Sequence, residues 1–197
     1  MARCPFATWN PTKAKNLGSG AMLEPYGLLL HITDGALDKK SKQKVLGTIE
    51  NLNASFDDRN NSTHFAIAPT GELWQFVDTG HAAKAMGGGI RDAHWFSVEN
   101  FALPGMALTS SQVDSVARLY AWLMLTHQIP LAVVKGSNPA LMDAGKDRGL
   151  GGHSMYKDPD RVLCPGEAVL AQRTQILQKA KQTFDGWKAG NVKSWVG

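Results

Sequence analysis

Tyr26-Gly27-Leu28-Leu29-Leu30-His31-Ile32-Thr33-Asp34-Gly35 decides the fold. The apolar run follows Pro25 and is too short for a helix, so it reads as a buried central strand. Its exit places an imidazole, a hydroxyl and a carboxylate at a strand's carboxyl end, where open α/β sheets keep their binding crevices. A structural histidine at position 31 fits the same local pattern.

Outward from this strand, Val45, Leu46, Ile49, Leu52 and Phe56 recur at spacings of three and four. They predict an amphipathic helix over 40–56, with Lys40, Lys42 and Lys44 on the opposite face. Residues 63–68 and 73–77 flank Pro69-Thr70-Gly71-Glu72 and read as a β-hairpin. Residues 95–100 form a further β-like stretch. Thr109-Ser110-Ser111-Gln112 has the capping-box form and should start a helix buried along Val113, Val116, Ala117, Tyr120, Leu123 and Met124. Ile129-Pro130 closes that helix before a short apolar strand at 131–134. From 135 to 165 no period is visible, which reads as a long functional loop. Pro165 suits the first turn of a last helix, whose apolar face is Val169, Leu170, Ile176, Leu177, Ala180 and Phe184. The expected fold class is α/β: a single domain with a mixed central β-sheet, its strands ending at His31, Val77, Asn100 and Val134, flanked by helices from about Lys40, Thr109 and Gly166.

A length of 197 residues suits one well-buried core, and 43% hydrophobic with 19% charged residues excludes a disordered polymer. The net charge of +4 comes without dense Lys/Arg runs, so nucleic acid is not an expected partner and a surface polyanion is. No apolar run approaches the roughly 20 residues needed to cross a bilayer, so no membrane insertion is expected. Residues 1–11 lack the pattern of a secretory signal, which implies synthesis in the cytoplasm. Two cysteines, Cys4 and Cys164, make no disulfide framework.

His31, His153 in Gly151-Gly152-His153-Ser154, and Cys164 in Val162-Leu163-Cys164-Pro165-Gly166 offer two imidazoles and a thiolate. Three such ligands with one open position are the arrangement of catalytic zinc. A cysteine just before a helix also sits where the helix dipole favours thiolate. By spacing alone, several of six histidines in such a domain are ordinary surface or core residues, and that reading stays open.

The order of segments resembles the zinc-dependent N-acetylmuramoyl-L-alanine amidases of the amidase-2 class, relatives of phage lysozyme-type amidases and peptidoglycan recognition proteins. The resemblance covers about 28–166. His31-Ile32-Thr33-Asp34-Gly35 is similar to the first ligand motif, and Ser62 to Ile67 with Gly71 and Gln75-Phe76-Val77 to the central hairpin. Ser97-Val98-Glu99-Asn100, followed by Leu108-Thr109 and Gln112, resembles the strand and helix bearing the catalytic acid. Gly152-His153-Ser154 and Cys164-Pro165-Gly166 resemble the last two ligand motifs. The resemblance implies one domain over 1–197, with an extension at 1–25 and a carboxyl-terminal helix and tail at 166–197. It implies Zn2+ held by His31, His153 and Cys164, and Glu99 as general base. A strand-end glutamate that is solvated, or paired with Arg91, is the plainer alternative.

Some relatives carry an oxyanion-stabilising lysine two residues before the third ligand, where this chain has Val162; Arg161 beside it is the candidate substitute. The family's tryptophan-bearing pocket segment appears as His81-Ala82-Ala83-Lys84-Ala85, with Lys84 at the tryptophan's position. Thr33, His64, Lys84 and Trp95 are the candidate substrate contacts; for His64 a hydrogen-bonded core histidine, and for Trp95 a core strand residue, is the favoured reading. Cys4 lies outside the resemblance and reads as a bystander. The implied reaction is cleavage of the amide between N-acetylmuramic acid and L-alanine in peptidoglycan, by a phage endolysin or an antibacterial effector that reaches the cell wall after release or delivery. An effector would add secretion machinery and an immunity protein as partners. Two other readings are a non-catalytic peptidoglycan-binding module and a cysteine hydrolase using Cys164 with His153 as base.

Overall fold

The computed structural model describes residues 2–38, 40–41, 43–159 and 163–190. Its strands are β1 (Thr8–Trp9), β2 (Leu17–Ala21), β3 (Gly27–Ile32), β4 (Ala36–Leu37), β5 (Lys44–Val45), β6 (Phe65–Ile67), β7 (Leu73–Gln75), β8 (His81–Ala83), β9 (Trp95–Asn100) and β10 (Gly149–Gly152). Its α-helices are α1 (Ile49–Arg59), α2 (Ile90–His94), α3 (Ser110–His127), α4 (Pro139–Asp143), α5 (Glu167–Leu170) and α6 (Arg173–Lys188). Six strands form the central sheet in the order β1-β7-β6-β9-β3-β10. β6, β9, β3 and β10 run parallel, while β7 is antiparallel to β6 and carries β1 along its outer edge. The mixed α/β architecture expected from the sequence is present.

Side-chain alternation divides the sheet into two faces. Leu28, Leu30 and Ile32 of β3 join Phe96, Val98, Phe65 and Ile67 in one apolar cluster, covered by Val116, Leu119 and Tyr120 of α3 and by Ile176, Leu177 and Ala180 of α6. The intervening residues face the other way: Leu29 packs with Tyr26, Trp95 and Met142, and Ala66 packs with Leu52, Phe56 and Phe76 under α1. His31 and Glu99 fall on this second face, at the carboxyl ends of their strands. Thr109 and Gln112 make the expected capping box on α3, and Gln112 Nε2 also donates to the carbonyls of Ile67 and Phe101, docking the helix start onto the sheet.

Four expectations are corrected. The helix anticipated over 40–56 begins at Ile49, because Thr48 and Asn51 close a capping box there; the chain before it forms the β4–β5 ribbon, where Val45 and Leu46 are exposed. The strand anticipated at 131–134 is a single bridge, Val133 to Leu150. β10 takes the place beside β3, inside the stretch read as loop, together with α4 and a 3-10 turn at His153–Tyr156. β10 approaches so closely that a Cβ on Gly27 would lie 1.9 Å from the Gly149 carbonyl oxygen. The final helix is two, α5 and α6. The first 25 residues supply β1, which widens the sheet, and β2, which pairs with β8. Among the described residues no helix is long and apolar enough to cross a membrane.

Candidate active site

Register builds the site. Leu30 pairs with Gly152 and His31 with Glu99, so His153, one step beyond Gly152, comes level with His31 on one side while Glu99 flanks it on the other. Positions 31, 99 and 153 thereby meet at one end of three adjacent parallel strands. The two imidazole rings lie with centroids 4.7 Å apart. Asn100 Nδ2 donates to the His31 carbonyl (3.0 Å), tying the strand end down.

Cys164 arrives from the segment ahead of α5. The Ser154 amide donates to the Cys164 carbonyl at 2.6 Å, fixing the cysteine beside His153. Gly152 makes the approach feasible: a Cβ there would lie 2.6 Å from Pro165 Cδ and 2.7 Å from Leu170 Cδ2. One donor atom each from His31, His153 and Cys164 lies within 4.8 Å of the others, with both histidines buried and the cysteine partly so. In a tetrahedral zinc site with bonds of 2.0–2.3 Å, ligand atoms are separated by roughly 3.4–3.8 Å. The trio therefore fits zinc in donor chemistry and in the closeness of its three donor atoms.

Glu99 Oε1 lies 3.9 Å from His31 Nδ1, and the carboxylate side chain retains 20% exposure. Arg91, the alternative partner for Glu99, is engaged by Asp143 and Asp158. Glu99, the three donors and Thr33 line a cavity of about 150 Å³. It adjoins a groove of about 660 Å³, with Arg59, Asn61, Lys84, Ala85 and His153 lining both.

The profile of the N-acetylmuramoyl-L-alanine amidase family (amidase-2) matches residues 22–167. The chain belongs to this family. The amidase is thus an enzyme of the class that hydrolyses peptidoglycan amides. Solved structures share its fold. N-acetylmuramoyl-L-alanine amidase LysC from Clostridium intestinale is 15% identical, covers 89% of this chain and 97% of its own, and superposes with a TM-score of 0.60. The hydrolase AmiA of Staphylococcus aureus is 12% identical over 98% of this chain and 90% of its own, TM-score 0.60. Drosophila peptidoglycan recognition protein SD is 14% identical over 84% and 88%, TM-score 0.53. A comparison with curated protein sequences finds no match.

The structure brings Thr33 and Lys84 to the cavity wall; Lys84 Nζ also donates to the Lys15 carbonyl at 3.1 Å. His64 and Trp95 of the amidase do not reach it. His64 is fully enclosed, bonded to Ser97 and to the His81 carbonyl, and Trp95 is 1% exposed, edge-on to Tyr26 in the core. Both are packing residues: His64 stands just before β6 and Trp95 is the first residue of β9, so each is buried near the strand starts and away from the carboxyl ends that carry His31 and Glu99. Arg161 lies outside the described residues. Cys4 is a buried core residue whose thiol is pushed up to about 12 by burial. Sequence reasoning missed Arg59 and Asn61, which follow the apolar face of α1 without any motif, and Asp158, an acid five residues past His153.

Proposed function

We propose that this amidase is a zinc hydrolase that cuts the amide between the lactyl group of N-acetylmuramic acid and L-alanine. His31, His153 and Cys164 would hold the metal, with Glu99 as general base. The observation that carries the reading is the placement of Glu99 opposite His31 in register, partly exposed, in the cavity the donor trio lines. The metal's contribution when bound is Lewis acidity, which polarises an amide carbonyl and lowers the pKa of water. Glu99 takes the proton of the attacking water and returns it to the leaving nitrogen, freeing the L-alanine amino terminus of the stem peptide and leaving the lactyl group as a carboxylate. Thr33 and Lys84 are assigned to substrate contact, and Arg59 and Lys84 make the groove electropositive toward an anionic wall polymer. One domain, 1–197, carries the activity, and the amidase acts on the wall as an endolysin or a delivered effector.

Glu99→Gln preserves shape and polarity but accepts no proton. Zinc stoichiometry and fold should persist while release of L-alanine amino termini from purified peptidoglycan falls ~10²–10⁴-fold. Cys164→Ser should lose metal and activity together. Near-normal turnover by Glu99→Gln ends the assignment. Activity that survives chelation but dies on alkylation makes the chain a cysteine hydrolase, and binding without any release makes it a binding module.

A further inference from the structure

The chain beyond His153 turns back onto its ring. Lys157 takes a left-handed conformation (φ 58°), its amide donating to the Ser154 carbonyl at 2.9 Å, and the reversal returns Asp158 to the site. Asp158 Oδ2 stands 3.7 Å from His153 Nε2, with the histidine side chain 5% exposed and the carboxylate 31%. Arg91 at the start of α2 grips that carboxylate through Nη1, at 3.1 Å to Oδ1 and 3.3 Å to Oδ2. The same guanidinium donates through Nε to Asp143 Oδ1 at the end of α4 (3.3 Å) and lies over the Tyr156 ring, 4.1 Å from its centroid. Three chain segments thus converge to hold one carboxylate against one imidazole nitrogen.

We propose that Asp158, clamped by Arg91 between Asp143 and Tyr156, is the positioning residue of His153: it accepts a hydrogen bond from Nε2–H and so presents Nδ1 as the metal-binding nitrogen. Neutral imidazole carries its proton on one nitrogen, and a carboxylate beside Nε2 selects the tautomer whose other lone pair is free. The separation of 3.7 Å is wider than a hydrogen bond, so the proposal requires the pair to draw together when the metal is held. Arg91 keeps the acid from swinging into the donor cluster, so Asp158 acts through the ligand and stays outside the ligand set, which consists of His31, His153 and Cys164. This role rests on reading that trio as the zinc site.

The test measures metal affinity and ligand geometry separately from turnover. Zinc affinity is read by competition with a chromophoric chelator, and the cobalt(II)-loaded protein reports the donor set through its thiolate charge-transfer and d–d bands. Asp158→Ala should weaken zinc about 10–100-fold, the range for lost outer-shell partners, while the cobalt thiolate band persists with altered d–d intensities. Asp158→Asn, which still accepts from Nε2–H, should recover most of that loss, and Arg91→Gln should weaken zinc less than Asp158→Ala does. Far-UV circular dichroism of the metal-free proteins establishes folding. Folded Asp158→Ala that binds zinc within twofold of wild type overturns the role; if Asp158→Ala does not fold, Arg91→Gln carries the test, and its matching wild type within twofold overturns the role. Abolished metal binding in folded Asp158→Ala would make Asp158 a ligand and equally overturns it. A wild-type chain that binds no zinc overturns the metal reading itself, a result distinct from either.

Discussion

Acid should destabilise the amidase through a residue that does not line the cavity. His64 is fully buried, its ring edge-on to Phe96 at 5.1 Å between centroids. The Ser97 backbone amide donates to Nδ1 at 3.3 Å, so Nδ1 is an acceptor and Nε2 carries the proton given to the His81 carbonyl at 3.0 Å. Protonating Nδ1 would set two donors against each other inside the core. Burial drives the His64 pKa down from 6.5 to about 4; the carbonyl of His81 and the charge of Asp78 pull it up, and His127 pushes the same way as burial. Because the folded value lies below the unfolded one, the unfolded chain binds more protons between them. The contribution is fully present above pH 6.5, erodes as the pH falls, and is gone below 4. At 1.36 kcal/mol per pH unit, the gap between 6.5 and about 4 amounts to about 3 kcal/mol. That is a large fraction of the 5–15 kcal/mol typical of a domain. Urea unfolding of the metal-free protein at pH 7, 5.5 and 4.5 should show the loss, and His64→Gln should be less stable at pH 7 but flatter with pH. A wild-type slope retained by His64→Gln, or an imidazole resonance of His64 titrating near 6.5, would refute the reasoning.

Other outcomes follow from the same geometry. Cys4, buried and with its thiol held up near 12, should resist alkylation in the native state, whereas partly exposed Cys164 should react in metal-free protein and be shielded by zinc; a mass-mapped alkylation time course checks both. Gly152→Ala should displace Pro165 and Leu170, cost about 1–3 kcal/mol and weaken zinc although no ligand is changed, as melting and metal stoichiometry would show. Zinc affinity should also fall on acidification, since the thiol and both imidazoles must shed protons to bind; chelator competition from pH 8 to 5.5 measures it.

Legibility in the sequence followed how local the signal was. β3 was readable because Gly27–Ile32 is a continuous apolar run, and α3 because Thr109 and Gln112 write its start into four residues. β10 was not, because Gly149–Gly152 carries one side chain of any size, Leu150, and holds its place by close backbone contact that no hydropathy pattern records. The start of α1 was misplaced because Val45 and Leu46 fall at helical spacing by coincidence, while Thr48 and Asn51 set the boundary. The donor residues were found as residue types, and their assembly rested on resemblance. The pairing of Asp158 with Arg91 had no signal, since it exists only after α2, α4 and the 3-10 turn have packed together.

The same alternation that seals the core on one face exposes chemistry on the other. His31 and Glu99 follow Leu30 and Val98, whose side chains are buried under α3 and α6, so any slip of β3 by one residue would turn the histidine into the core and a leucine into the cavity. The apolar burial of those strands therefore enforces the register that aligns the imidazole with the carboxylate. Cys164 is not on a strand and has no such enforcement. Its position depends on the Ser154 amide and on the space left by Gly152, which is why a methyl group there should disturb the metal site as much as the fold.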